Sequence, residues 1–141
     1  MIAKVFIDSD VLIDIATERE PFFPASQAVF SLAESGVFLA YTSPNSITNI
    51  YYILTKLSSA SKARVFIRKT LEIVRVADVD HDSVLQALES KFFDFEDGVQ
   101  NYCALRNRCD YIITRNIRDY EFSEIRVLDP KEMLLLHKKN T

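Results

Sequence analysis

An α/β fold, a three-layer sandwich with helices on both faces of a mainly parallel sheet, is predicted by three observations. Short apolar runs are continuous rather than alternating, a polar residue closes each run, and the segments between them carry helical spacing. Val5-Phe6-Ile7 runs into Asp8, Val37-Phe38-Leu39-Ala40-Tyr41 into Thr42-Ser43, and Tyr111-Ile112-Ile113 into Thr114-Arg115-Asn116. Continuous hydrophobicity of that kind marks strands buried on both faces.

Taken in order, the first strand is followed by Val11-Leu12-Ile13-Asp14-Ile15, a helix that Ser9 or Asp10 is placed to cap. A second helix follows Pro24-Ala25-Ser26, with Phe30, Leu32 and Ala33 on its path and Gly36 placed to end it. After the second strand, Ile47, Ile50, Tyr51, Leu54 and Leu57 repeat at three-and-four spacing behind Ser43-Pro44, which predicts an amphipathic helix. Helices are further expected over about 60–71, 82–90, 96–107 and 130–138, the last opening on Asp129-Pro130, a cap followed by proline at the first helical position. Ile73-Val74-Arg75-Val76 is a weaker strand and Arg126-Val127-Leu128 a short edge strand. With 141 residues, 48% of them hydrophobic, and no linker-like or repetitive stretch, one domain spanning 1–141 is expected.

The composition excludes several classes. The net charge of −3 argues against bulk electrostatic coating of nucleic acid, although Lys4, Arg106, Arg108, Arg115 and Arg118 would make a local basic surface if folding gathered them. For each of these residues an ordinary solvated position is favoured. Cys103 and Cys109 lack a CxxC spacing, and His81 and His137 are far apart, so a zinc site is disfavoured and both thiols read as reduced. No apolar run approaches the roughly 20 residues of a membrane helix, and the N-terminal apolar stretch is too short for a signal peptide; a cytoplasmic location is expected.

In open parallel sheets, ligands bind beyond the carboxyl ends of the strands. Asp8, Ser43 and the Thr114-Arg115-Asn116 triplet all fall on that rim. Asp8, closing a buried strand, needs a compensating partner, for which a divalent cation is one choice. Asp94 with Asp97 three residues later reads as a helix N-cap with an acidic N3 residue. Asn116 and Asp119 suit a polar turn making local bonds. Together, Asp8, Asp97 and Asp119 would form an acidic pocket for Mg²⁺ or Mn²⁺, ions that take oxygen ligands. Such a pocket would activate water and neutralise a phosphodiester for in-line attack.

The motifs carrying these residues resemble those of the PIN-domain family, which includes the nuclease toxins of VapBC-type toxin–antitoxin pairs. Phe6-Ile7-Asp8-Ser9-Asp10-Val11-Leu12-Ile13-Asp14 is similar to the family's opening strand and first acid. Thr42-Ser43-Pro44 is similar to its second motif, Glu96-Asp97-Gly98-Val99-Gln100 with Ala104 to its third, and Ile113 to Tyr120 to its last. The resemblance covers nearly the whole chain in order. It implies a metal-dependent endoribonuclease with Asp8 and Asp97 as metal-binding acids and Mg²⁺ or Mn²⁺ as cofactor; with Asp119 from the acidic pocket, these are the candidate catalytic and metal-binding residues. Ser9, Ser43, Asn49, Asp94, Thr114 and Asn116 would be the polar support, RNA (single-stranded or structured) the substrate, an antitoxin the protein partner, and a homodimer the assembly.

Two departures stand out: Asn49 occupies the position where the family usually carries a glutamate, and Asn116 a position that is often acidic. A lost glutamate weakens divalent-ion affinity unless Asp10, Asp94 or Asp119 substitutes. The alternative reading is therefore a catalytically degenerate PIN domain that binds RNA or protein. A flavodoxin-like or receiver domain is disfavoured because no glycine-rich loop follows a strand and no lysine follows a late one. A partner helix would suit an apolar surface near Val11-Leu12-Ile13, Phe22-Phe23 or Tyr51-Tyr52. Most of these positions are expected in the core, with Phe22-Phe23, set between prolines, partly exposed.

Overall fold

Residues 2–140 are described by a computed structural model. The chain runs β1 (Lys4–Ile7), α1 (Ser9–Ala16), α2 (Phe23–Glu34), β2 (Leu39–Thr42), α3 (Pro44–Leu57), α4 (Ala60–Leu71) and β3 (Val74–Val76). It continues through α5 (His81–Glu89), α6 (Phe95–Arg106), β4 (Tyr111–Ile113), a 3-10 turn η1 (Ile117–Tyr120), β5 (Arg126–Leu128) and α7 (Pro130–Lys139). Every strand pairing is parallel, in the order β3-β2-β1-β4-β5. A flavodoxin-like sheet runs 2-1-3-4-5, so the topology sets that alternative aside.

Successive residues of a strand face opposite sides of its sheet, and both sides here are apolar. Val5, Ile7, Ala40 and Ile113 enter one core with residues of α1, α2, α3, α4 and α7, such as Leu12, Val29, Ile50, Ala63 and Met133. Phe6 and Ile112 enter the other with Cys103, Ala104, Phe92 and Tyr120. This two-sided burial makes the sequence runs continuous. Burial pushes both thiols up to about 12, so Cys103 and Cys109 are inert fillers of the second core.

Chain reversals explain where the elements begin and end. Gly36 (φ +79°) closes α2: its N–H donates to Ala33 O and that of Val37 to Leu32 O, a paired closure that needs a left-handed residue. Those residues are used up in the turn, so β2 starts at Leu39 instead of at Val37. The same closure ends α1 at Glu18 (φ +49°) and α6 at Arg108 (φ +58°). Asp8, rather than Ser9 or Asp10, caps α1, accepting from Ser9 N at 2.7 Å. The helix therefore starts immediately beyond the strand, with its positive end over the first carboxylate. Asp94 caps α6 as expected, accepting from Asp97 N at 3.1 Å.

Two of the arginines are taken up in ion pairs, Arg115 with Asp14 and Arg106 with Asp80. Val11 and Leu12 are core, Phe22 and Phe23 are half-buried, and Tyr52 stands exposed. Among the described residues no helix is long and apolar enough to cross a membrane.

Candidate active site

The strand order reverses between β1 and β4, and a parallel sheet opens a crevice at that switch point. Asp8 leaves the end of β1 there and Thr114 the end of β4, with Asp8 N donating to Ile113 O at 2.9 Å. The Asp8 side chain is 6% exposed, and protein donors surround it. Its Oδ1 accepts from Ser9 N (2.7 Å) and Gln100 Nε2 (2.9 Å), and its Oδ2 from Thr114 Oγ1 (3.0 Å) and Tyr120 OH (3.1 Å). Burial and the surrounding carboxylates push the Tyr120 phenol well above its usual range, so it stays a donor at neutral pH. The same hydroxyl lies 3.5 Å from Asp97 Oδ1, which ties two of the expected acids to one group.

Gln100 is held in turn. Its Oε1 accepts from Ser46 Oγ (2.5 Å) and Ser43 Oγ (3.4 Å), and its Nε2 also reaches Tyr120 OH (3.2 Å). Ser43, the N-cap of α3, thus acts on Asp8 through Gln100. Gln100 and Tyr120 are site residues that the spacing of acids did not single out; the signal available was a polar side chain one turn beyond Asp97 on the buried face of α6.

Asp10 forms the second half of the site. Its Oδ2 accepts from Thr114 Oγ1 (3.2 Å), Arg115 N (3.1 Å) and Asn116 Nδ2 (3.1 Å), whereas its Oδ1 is buried without a partner. The Asn116 side chain therefore bonds across to α1, while its backbone bonds locally to Thr114 Oγ1 and Asp119 N. Asp119 is exposed on η1, near enough to Asp97 for its charge to be felt but outside the hydrogen-bonded core of the site. Asn49 lies on the wall of a neighbouring cleft that Glu96 also lines.

Burial and mutual charge act together on the clustered acids. Burial and the charge of Asp8 push Asp10 up to about 7. Burial, then Asp8, Asp94, Asp119 and Glu96, push Asp97 up to about 7 as well. Glu96 is raised by burial, Asp8 and Asp94. Among the described residues no three acidic, histidine or cysteine side chains converge closely enough to enclose an ion by themselves. Mg²⁺ and similar ions, however, keep several waters and bind through one or two carboxylates. A buried oxygen with no partner and carboxyl groups raised by burial and by the charge of Asp8 suit such a partly hydrated divalent ion.

These shifts carry a stability consequence. Unfolded, Asp10 and Asp97 titrate near 3.8; folded, both do so near 7. The folded state binds more protons between these values, so stability falls as pH rises through that window and the full penalty applies above it. Metal-free protein is expected to melt roughly 3–6 °C higher at about pH 5.5 than at about pH 8, after discounting for the solvent that screens Asp97. A divalent cation should restore the loss at the higher pH. Thermal unfolding read by circular dichroism checks this, and a melting point that climbs with pH would contradict it.

Comparison with known proteins adds three findings. A family model described as "PIN domain" matches residues 4–118. A curated relative, "Ribonuclease VapC1" of Aquifex aeolicus (strain VF5), is 29% identical over 134 residues, covering 92% of each chain. In fold, the chain is similar to a DNA-bound VapBC from Salmonella typhimurium (TM-score 0.69, 16% identity, 92% of this chain and 99% of that one). It is also similar to Mycobacterium tuberculosis VapC20, titled a sarcin-ricin loop cleaving toxin (TM-score 0.66, 17% identity, 86% and 98%).

Proposed function

The chain belongs to the PIN-domain family, and on that premise we propose that it is a divalent-metal-dependent endoribonuclease, the toxin of a toxin–antitoxin pair. The observation that carries this reading is the carboxylate cluster at the switch point, in which Asp10 and Asp97 are tied to the buried Asp8 through Thr114 and Tyr120 and one Asp10 oxygen is buried without a partner.

In this reading, Asp8 and Asp97 hold Mg²⁺ or Mn²⁺, with Asp119 at the rim and the free Oδ1 of Asp10 facing inward. When bound, the ion supplies an activated water and neutralises charge on the scissile phosphodiester. The chain's own residues fix the oxygens that receive it. Ser43 and Ser46 lock the Gln100 amide, and Gln100, Thr114 and Ser9 N lock the Asp8 carboxylate in one rotamer. Tyr120 sets the approach of Asp97 to Asp8 through a hydroxyl that remains protonated. Anionic RNA is repelled by such a cluster until it is neutralised, so binding and cleavage both depend on the cation. The relatives crystallised as VapBC complexes support an antitoxin as protein partner.

A second reading has a specific observation in its favour. The hydrogen bonds to the Asp8 carboxylate come from neutral protein donors, and Asn49 supplies no charge, a pattern that also suits a module that binds RNA without cleaving it. Calorimetric Mn²⁺ titration beside an RNA-cleavage assay with and without EDTA separates the two. The nuclease reading expects saturable Mn²⁺ binding and EDTA-sensitive cleavage. Folded protein that binds no Mn²⁺ and leaves RNA intact would remove the nuclease reading in favour of the binding module.

A further inference from the structure

Beside the carboxylate cluster lies a cleft of about 480 Å³ lined by Pro44, Asn45, Thr48, Asn49, Tyr52 and Glu96, within the size range of small-ligand sites. Its chemistry differs from that of the cluster. No lysine or arginine lines it, so it is not built for a phosphate. Two neutral amides, Asn45 and Asn49, face it, and neither makes a side-chain hydrogen bond among the described residues. An amide offers a donor and an acceptor side by side, the pattern that reads the polar edge of a base. Tyr52 supplies an aromatic wall and is 66% exposed. Among the described residues its ring neighbour is Tyr51, edge-on at 5.7 Å, which leaves its outer face open.

The surroundings extend the pattern. Glu96 belongs to the first turn of α6, and just ahead of it Phe93 is fully exposed and Phe95 half-exposed, bracketing the cap Asp94. Exposed aromatics cost hydration without contributing to the core, and a run of them beside a polar cleft provides stacking surfaces that every base can use. The cleft shares Glu96 with the carboxylate cluster, where the charge of Asp8 reaches it. A base seated in the cleft would thus place the adjoining backbone at the acids.

We propose that this cleft is a subsite for one unpaired nucleobase of the RNA, stacked on Tyr52 and read at its edge by Asn45 and Asn49. The inference rests on the ribonuclease reading and narrows it to single-stranded segments, because a base inside a duplex exposes neither a free face nor its pairing edge. It also gives Asn49 a role: it contacts the base instead of the ion.

The test is fluorescence anisotropy with a fluorescein-labelled single-stranded RNA of mixed sequence and with the duplex of that sequence, Ca²⁺ replacing Mg²⁺ and RNA integrity checked on a gel. Wild type should bind the single strand at least about tenfold tighter than the duplex. Tyr52→Ala should weaken single-strand binding about tenfold and Asn49→Ala about threefold to tenfold, whereas Tyr52→Phe keeps it, and Ca²⁺ affinity in Tyr52→Ala stays unchanged. Tyr52 is a surface residue, so its variants stay folded. Single-stranded RNA bound equally well by wild type, Tyr52→Ala and Asn49→Ala would overturn the subsite and assign the cleft to another occupant, such as a protein partner, while sparing the nuclease reading. Duplex bound as tightly as single strand would do the same. Wild type that binds neither RNA would overturn both.

Discussion

Asp8→Asn is expected to abolish Mn²⁺ binding and reduce RNA cleavage by roughly a thousandfold while leaving the protein folded. The fold survives because the two oxygens of Asp8 have different partners. Ser9 N–H and Gln100 Nε2–H can only donate, so the oxygen of the new amide must stay on their side. Its NH₂ then replaces Oδ2 and faces Thr114 and Tyr120, hydroxyls that can turn to accept. Each retains a carboxylate to donate to, Asp10 for Thr114 and Asp97 for Tyr120. The network is rewired at modest cost, and only the charge is lost. That loss has its own signature: Asp8 is the leading charge raising both Asp10 and Asp97, second only to burial. Carboxyl carbon NMR should therefore show both groups titrating below about 7 in the variant, though still above 3.8 because burial remains. Unchanged titration of both would mean that Asp8 does not govern the cluster, and unchanged cleavage would remove it from the chemistry.

What was legible in the sequence follows from how locally each feature is determined. Continuous apolar runs gave the parallel sheet, because burial on both faces leaves no polar position within a strand. Asp8 and Thr114 could be read as rim residues, since a strand end fixes where the next side chain emerges. Gly36 and Asp94 could be read because helix ends are set by neighbours a few residues away. Gln100 could not: its place depends on α6 packing against the end of β1, so that an amide 92 residues from Asp8 becomes its donor. Asp119 is a different case. Its type and spacing fit an acidic pocket, yet the 3-10 turn points Tyr120 inward and leaves Asp119 at the surface. The tightness of η1, not composition, decides which of the two neighbours enters the site.

Arg115→Ala should cost about 3–5 kcal/mol of stability, the range for breaking a buried ion pair from one side. Arg115 Nε lies 2.7 Å from Asp14 Oδ2 and Nη2 lies 3.2 Å from Oδ1, a two-pronged pairing across 101 residues. Asp14 is fully buried, and the arginine side chain is 25% exposed with its guanidinium 4.1 Å above the Phe22 ring. Truncating the arginine strands a charge that water cannot reach; truncating Asp14 leaves a cation still stacked and partly hydrated, so Asp14→Ala should cost less. Arg115→Lys should recover little, since an ammonium can neither bond both oxygens in one plane nor stack in the same way. The damage extends beyond stability, because the backbone N–H of Arg115 holds Asp10 and the adjoining Asn116 shares that carboxylate. Urea denaturation of the two single variants and the double variant measures the pair. Coupling demands that the double variant lose clearly less than the sum of the singles. Additive losses, or an Arg115→Ala cost as small as that expected of the solvent-exposed Arg106, would show that Asp14 and Arg115 are neighbours without being partners.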